Sequence, residues 1–131
     1  MTTNYKIGTR IVVFSAFLLT NCAENEFECR NNRLFCNPIL SENFEESGTV
    51  IDEFLQELPP ELSSQEKLEK LRDWLKCKSC VSHVEIFCNS CIYTLPPISE
   101  LKITFILGGR ETDKFLDIIM SEPLRFVGYH N

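Results

Sequence analysis

The sequence predicts an α+β domain: one or two helices packed on a small antiparallel sheet of about four strands, braced by disulfides. Three observations carry that expectation. Apolar residues recur at helical spacing between Val50 and Leu75. From Cys80 onward the apolar period falls to two, the period of a strand with one buried face. Six cysteines lie between positions 29 and 91, an even set of the kind that staples small exported domains.

The chain opens with a different pattern. Met1 to Arg10 carries Lys6 and Arg10 and no acid, and Ile11 to Leu19 is apolar apart from Ser15. As a helix those nine residues span roughly 14 Å, too short for a bilayer core of about 30 Å. A basic head, an apolar run of this length and a polar exit are the order of a secretory signal peptide, here residues 1–21. Leu19-Thr20-Asn21-Cys22 follows. It resembles the lipobox of bacterial lipoproteins: an apolar residue, two small residues and the cysteine that is acylated and becomes the mature N-terminus. Asn21 is larger than the Gly, Ala or Ser usual at its place. Glu24, Glu26 and Glu28 resemble the acidic surface-export tags of lipoproteins in some Gram-negative lineages. The resemblance is to small bacterial lipoproteins of unknown function. It implies lipidation of Cys22 and an outer-membrane or cell-surface location, and it implies no activity. Ordinary cleavage near Cys22 or Ala23 would instead release a soluble secreted protein.

Residues 22–48 are polar, interrupted by Pro38 and Gly48, and are expected to form a tether to the domain at 49–131. From Leu34 to Gln65 there is no basic residue, while acids accumulate. Their spacing lacks the alternation of a calcium loop, so a solvated acidic face is the expectation. Val50, Ile51, Phe54, Leu55 and Leu58 predict a short amphipathic helix that Thr49 can cap and Pro59-Pro60 stops. A second helix follows: Ser63 and Glu66 form a capping box, and Leu68, Leu71, Trp74 and Leu75 form its core stripe.

The strands come next. Alternation places Val84 and Ile86 on one side with Cys80 and Cys88, and Val81 and Phe87 on the other. Leu101 to Leu107 is the clearest strand, with Ile103, Phe105 and Leu107 on one face. Gly108-Gly109 reads as a hairpin turn, since both residues tolerate positive φ. Arg110 to Met120 pairs back, and Leu124 to Tyr129 gives a last short strand after Pro123. Between the first two strands, Ile92 to Ile98 is an apolar, proline-rich connection.

Chemistry, if the chain performs any, falls to its cysteines. Seven is an odd number. Acylation of Cys22 leaves Cys29, Cys36, Cys77, Cys80, Cys88 and Cys91 as disulfide candidates, with connectivity open. Cys77/Cys80 and Cys88/Cys91 are two CxxC pairs, which also suggests a metal centre or a thiol-redox pair. Zinc needs four sulfurs each about 2.3 Å from one ion. Along a straight strand Cys80 and Cys88 would lie roughly 26 Å apart, which opposes both a shared ion and a direct bond. Neither pair opens a predicted helix, where the dipole would lower a thiol pKa. Structural bridging is therefore the expectation.

The remaining signals exclude more than they assign. The net charge is −6, and all 19 acids lie after Cys22. An acidic surface disfavours nucleic acid and electrostatic adhesion to anionic lipid, so membrane attachment falls to acyl chains. His83 lies inside a strand and His130 next to the last residue, where it is expected to be mobile. No nucleophile elbow, phosphate-cradling glycine loop or paired-carboxylate motif is present, so no cofactor and no catalytic residue is assigned. The expectation is an exported, lipid-anchored protein with a non-catalytic binding or structural role toward an unidentified protein or small ligand. The alternative is a thiol-redox or metal-handling protein using the CxxC pairs.

Overall fold

Among the described residues three helices precede four strands: α1 (Glu26–Leu40), α2 (Phe44–Glu57), α3 (Ser64–Lys76), β1 (Val81–Ile92), β2 (Ile98–Leu107), β3 (Arg110–Ile119) and β4 (Arg125–His130). The computed structural model describes residues 26–131, with side chains from residue 31; the expected signal peptide 1–21 and Cys22 lie outside the described residues. The strands form one antiparallel sheet in the order β1-β2-β3-β4, each joined to its neighbour in sequence. The helices lie on one face of this meander, α3 against β1, α1 against β2 and α2 against β4. This is the α+β class that the change of apolar period predicts.

The segment expected to be a tether differs most from its expectation. From Glu26 to Leu40 it is helix, and Phe35, Cys36 and Ile39 are buried in the core. Phe35 and Ile39 sit one turn apart on one face, a stripe too narrow to stand out from the surrounding Asn, Glu and Arg. The Phe35 ring meets Trp74 at 6.1 Å and Phe105 at 6.3 Å, so this helix joins α3 to the sheet. Pro38 leaves the Leu34 carbonyl without its helical donor, and Leu34 is on the exposed side, where water can serve.

The second helix also starts earlier than expected, at Phe44 and not after Thr49. Asp52 accepts a hydrogen bond from the Phe126 backbone N–H at 2.7 Å, tying α2 to β4. The contact is close enough to require glycine on the helix. A Cβ at position 48 would lie 2.3 Å from the Phe126 ring. The third helix follows its sequence signals. The Ser63 side chain accepts from the Glu66 N–H while the Glu66 carboxylate accepts from the Ser63 N–H, and Leu68, Leu71, Trp74 and Leu75 are buried.

In the sheet, Leu101, Ile103, Phe105 and Leu107 of β2 and Leu116 and Ile118 of β3 face the helices. Gly108 and Gly109 turn the β2–β3 hairpin with φ of 55° and 83°. The first strand breaks simple alternation. Register shifts between Val81 and His83 and between Ile86 and Cys88 put Val81 and Val84 on the covered side and Cys88 opposite Glu100 on the other. The strict two-residue period expected for Cys80 to Cys88 is therefore corrected by bulges, each of which moves later side chains to the opposite face.

Candidate functional site

The covered face is apolar; the other face, which no described element covers, carries the polar chemistry. In β2 the residues alternating with the core are Ile98, Glu100, Lys102, Thr104 and Ile106. Across the β2–β3 ladder Glu100 opposes Asp117, and across β3–β4 Asp117 opposes Gly128 while Phe115 opposes His130. His130 is thus the diagonal neighbour of Asp117 on the same face. Strands stand about 4.8 Å apart, so Glu100 and His130, two strands apart, must reach toward each other over the shorter Asp117.

They do reach. His130 Nε2 lies 2.8 Å from Glu100 Oε2 and 3.2 Å from Asp117 Oδ1. The carboxylates are mostly buried, with side-chain exposures of 13% for Glu100 and 18% for Asp117, while His130 is 46% exposed. Phe115 stacks under the imidazole at 5.3 Å and 17°, and Phe87 meets Phe115 edge-on at 4.9 Å. At the outer side of the ring, Nδ1 lies 3.2 Å from the Asn131 main-chain oxygen. That oxygen can only accept, so Nδ1 is the donor and carries a proton. Burial pushes the Asp117 carboxyl upward; His130 opposes that shift, and the like charge of Glu100 adds to it. His130 is pushed upward chiefly by its hydrogen bond to Glu100.

The second feature of this face is the Cys88–Cys91 disulfide, with Cα atoms 5.7 Å apart. In an extended strand, residues three apart lie roughly 10 Å from each other. The strand closes that gap with an irregularity between Cys88 and Ile92, where Ser90 takes a left-handed φ of 57°. The buried Ser99 hydroxyl fastens the detour: it accepts from the Ser90 N–H at 2.7 Å and donates to Asn89 Oδ1 at 2.9 Å. Cys88 Sγ lies 3.6 Å from Glu100 Oε1, so the disulfide and the carboxylate–imidazole cluster share Glu100.

The other cysteines lie elsewhere. Cys36 and Cys80 form a disulfide with Cα atoms 5.6 Å apart, linking α1 to the residue before β1 on the covered side. Cys77, at the C-terminal end of α3, is also disulfide-bonded. Cys29 falls in α1, its side chain outside those described, and Cys22 lies before the described residues. The two CxxC pairs thus part company: Cys80 joins Cys36 near the helices, and Cys88 joins Cys91 on the open face. A single centre built from Cys77, Cys80, Cys88 and Cys91 does not form.

Of the histidines, His83 is exposed on β1 and meets Glu85 at 3.0 Å. His130 corrects its expectation, since it belongs to β4 and its ring is held between two carboxylates. The Ile92–Ile98 connection ends the sheet with Tyr93 and Leu95 projecting into solvent. Between the helices, a groove of about 430 Å³ is lined in part by Leu34, Phe54 and Trp74, and the buried Trp74 Nε1 has no hydrogen-bond partner among the described residues. The chain matches no family model, no curated protein and no solved structure.

Proposed function

We propose that the protein is exported, is anchored to a bacterial outer membrane or cell surface by acyl groups on Cys22, and uses the open face of its sheet for binding and not for catalysis. The observation that carries this reading is the state of the cysteines: Cys36, Cys77, Cys80, Cys88 and Cys91 are all disulfide-bonded. Such density in a small domain belongs to an oxidising compartment. The leader and the lipobox-like Leu19-Thr20-Asn21-Cys22 supply the route there. If Cys22 is acylated, Cys29 is the cysteine left to pair with Cys77. Among the described residues no helix is long and apolar enough to cross a membrane, so an acyl anchor would supply the attachment. The asymmetric sheet supports the binding role: its apolar face is used up by the helices, and its polar face is covered by no described element.

The test is mass spectrometry of the mature N-terminus from a membrane fraction. The expected result is a chain that begins at an acylated Cys22. An unmodified Cys22 in a soluble chain removes the anchor.

One observation favours a second reading, thiol-redox exchange through Cys88 and Cys91: their disulfide stands on the open face. The neighbouring Glu100 works against it, because a carboxylate beside a thiol disfavours the thiolate that would attack. A reduction potential well below about −300 mV identifies a structural bond; one in the range of about −270 to −120 mV identifies an exchanging pair.

A further inference from the structure

The structure assigns a binding site for a divalent first-row transition-metal ion to Glu100, Asp117 and His130 on the open face of the sheet. This rests on the reading of that face as the binding face and names what it binds.

The geometry begins with three donor atoms gathered at one point. His130 Nε2 lies 2.8 Å from Glu100 Oε2 and 3.2 Å from Asp117 Oδ1, while Nδ1 faces the Asn131 main-chain oxygen. Without a metal, an imidazolium proton on Nε2 can point straight at only one of the two oxygens, and the two carboxylates repel each other. A metal ion that takes the place of that proton meets all three atoms at once.

The spacing fits an ion. Metal–nitrogen and metal–oxygen bonds are about 2.0–2.2 Å, so neighbouring ligand atoms in an octahedral or tetrahedral shell lie roughly 2.8–3.6 Å apart. The two Nε2···O separations are 2.8 and 3.2 Å, and one donor atom from each of the three residues falls within 4.8 Å of the others. The donor set decides the class. One imidazole with two carboxylates suits zinc and its neighbours, whereas calcium and magnesium favour shells made of oxygen alone.

The surroundings do what the second shell of a metal site does. The Nδ1–H bond fixes the tautomer that frees Nε2, and the Phe115 ring holds the imidazole plane. Three adjacent strands supply one ligand each, so the ladder sets their spacing without loops. Gly128 opposes Asp117 on this face, and a Cβ there would meet nothing within 4 Å. That open side leaves room for water or a partner's side chain to complete the shell. The Cys88 sulfur stays in its disulfide and is not a ligand.

The test is calorimetric titration of the full, oxidised, metal-stripped chain with Zn²⁺, repeated with Co²⁺ while its visible absorption is followed. The expected result is one equivalent bound. His130→Ala should weaken it by about 100-fold, since even second-shell partners are worth 10- to 100-fold. Glu100→Gln and Asp117→Asn, which keep size and shape, should each weaken it by at least about tenfold, and His83→Ala should leave it unchanged. Circular dichroism checks that each variant folds. Failure to bind either ion, binding that survives His130→Ala in a folded chain, or binding that appears only after Cys88 and Cys91 are reduced overturns the site. A folded, acylated, thiol-free chain that binds no metal overturns this inference alone and leaves the anchored, disulfide-braced reading standing.

Discussion

The two faces of the sheet are built from the same strands and solve opposite problems. The covered face buries Leu101, Ile103, Phe105, Leu116 and Ile118 under three helices and is closed by the Cys36–Cys80 disulfide. The open face holds Glu100, Asp117 and His130 within hydrogen-bonding distance and carries the Cys88–Cys91 disulfide. One face is organised by burial, which is non-directional and worth about 1.5–3 kcal/mol for each large apolar side chain. The other is organised by direction, through a register that brings two carboxylates and an imidazole to one point. The lesson is a division of labour: substitutions on the covered face should change stability, and those on the open face should change binding.

The largest effects should come from the covered side. Phe35→Ala should destabilise by about 3–5 kcal/mol, because the ring is fully buried between α3 and the sheet. Denaturant titration measures it; a loss below about 1 kcal/mol would mean that α1 is a loose tether after all. The two disulfides should differ in the same assay. Cys36 and Cys80 are 44 residues apart, but a Cys29–Cys77 bond would already close most of that loop, so loop-closure entropy predicts about 3 kcal/mol lost on replacing both with alanine. Cys88 and Cys91 are 3 apart, and the same relation predicts about 2 kcal/mol. Equal losses would break the comparison.

Smaller effects sharpen it. Gly48→Ala should destabilise by about 1–3 kcal/mol despite alanine's better helix propensity, because the new methyl group meets the Phe126 ring. Asp117→Asn should shift stability by less than about 1 kcal/mol while weakening metal binding, which separates the open face from the core. The smallest effect lies in the capping box. The Ser63 N–H and hydroxyl hold the Glu66 carboxyl below the ordinary carboxylate range. A carboxylate with a depressed folded pKa stabilises the fold above its unfolded pKa, and that contribution is lost as pH falls through the folded value. The stability gap between the native chain and Glu66→Gln should therefore be open at neutral pH and close in acid. A gap that widened in acid would contradict the assignment.

Two of the three residues of the candidate site could have been paired from the sequence, although neither was singled out there. A two-residue turn at Gly108-Gly109 fixes the β2–β3 register, and counting outward from it pairs Glu100 with Asp117, as the ladder does. The third member was not legible. His130 reaches Asp117 through a β3–β4 register that shifts between Asp117 and Ile118, and through a connection at 120–124 whose path no local pattern announces. The helices divide similarly. Ser63 and Glu66 announce α3 because capping is local chemistry, read within four residues. The α1 helix is stabilised by what Phe35 touches far along the chain, at Trp74 and Phe105, and composition alone reads it as a tether. The cysteines show the same limit. The even set of six from Cys29 to Cys91 was visible, but the bulge that lets Cys88 bond to Cys91 depends on Ser99 across the strand.

The account as a whole turns on the state of its cysteines. The direct measurement is the intact mass of the chain taken from membranes, denatured without reductant and treated with an alkylating agent. Acylation of Cys22 and three disulfides among the other six cysteines predict a lipid-modified N-terminus and no alkyl adduct. An unmodified Cys22, or adducts on Cys88 and Cys91 in the native material, would contradict it.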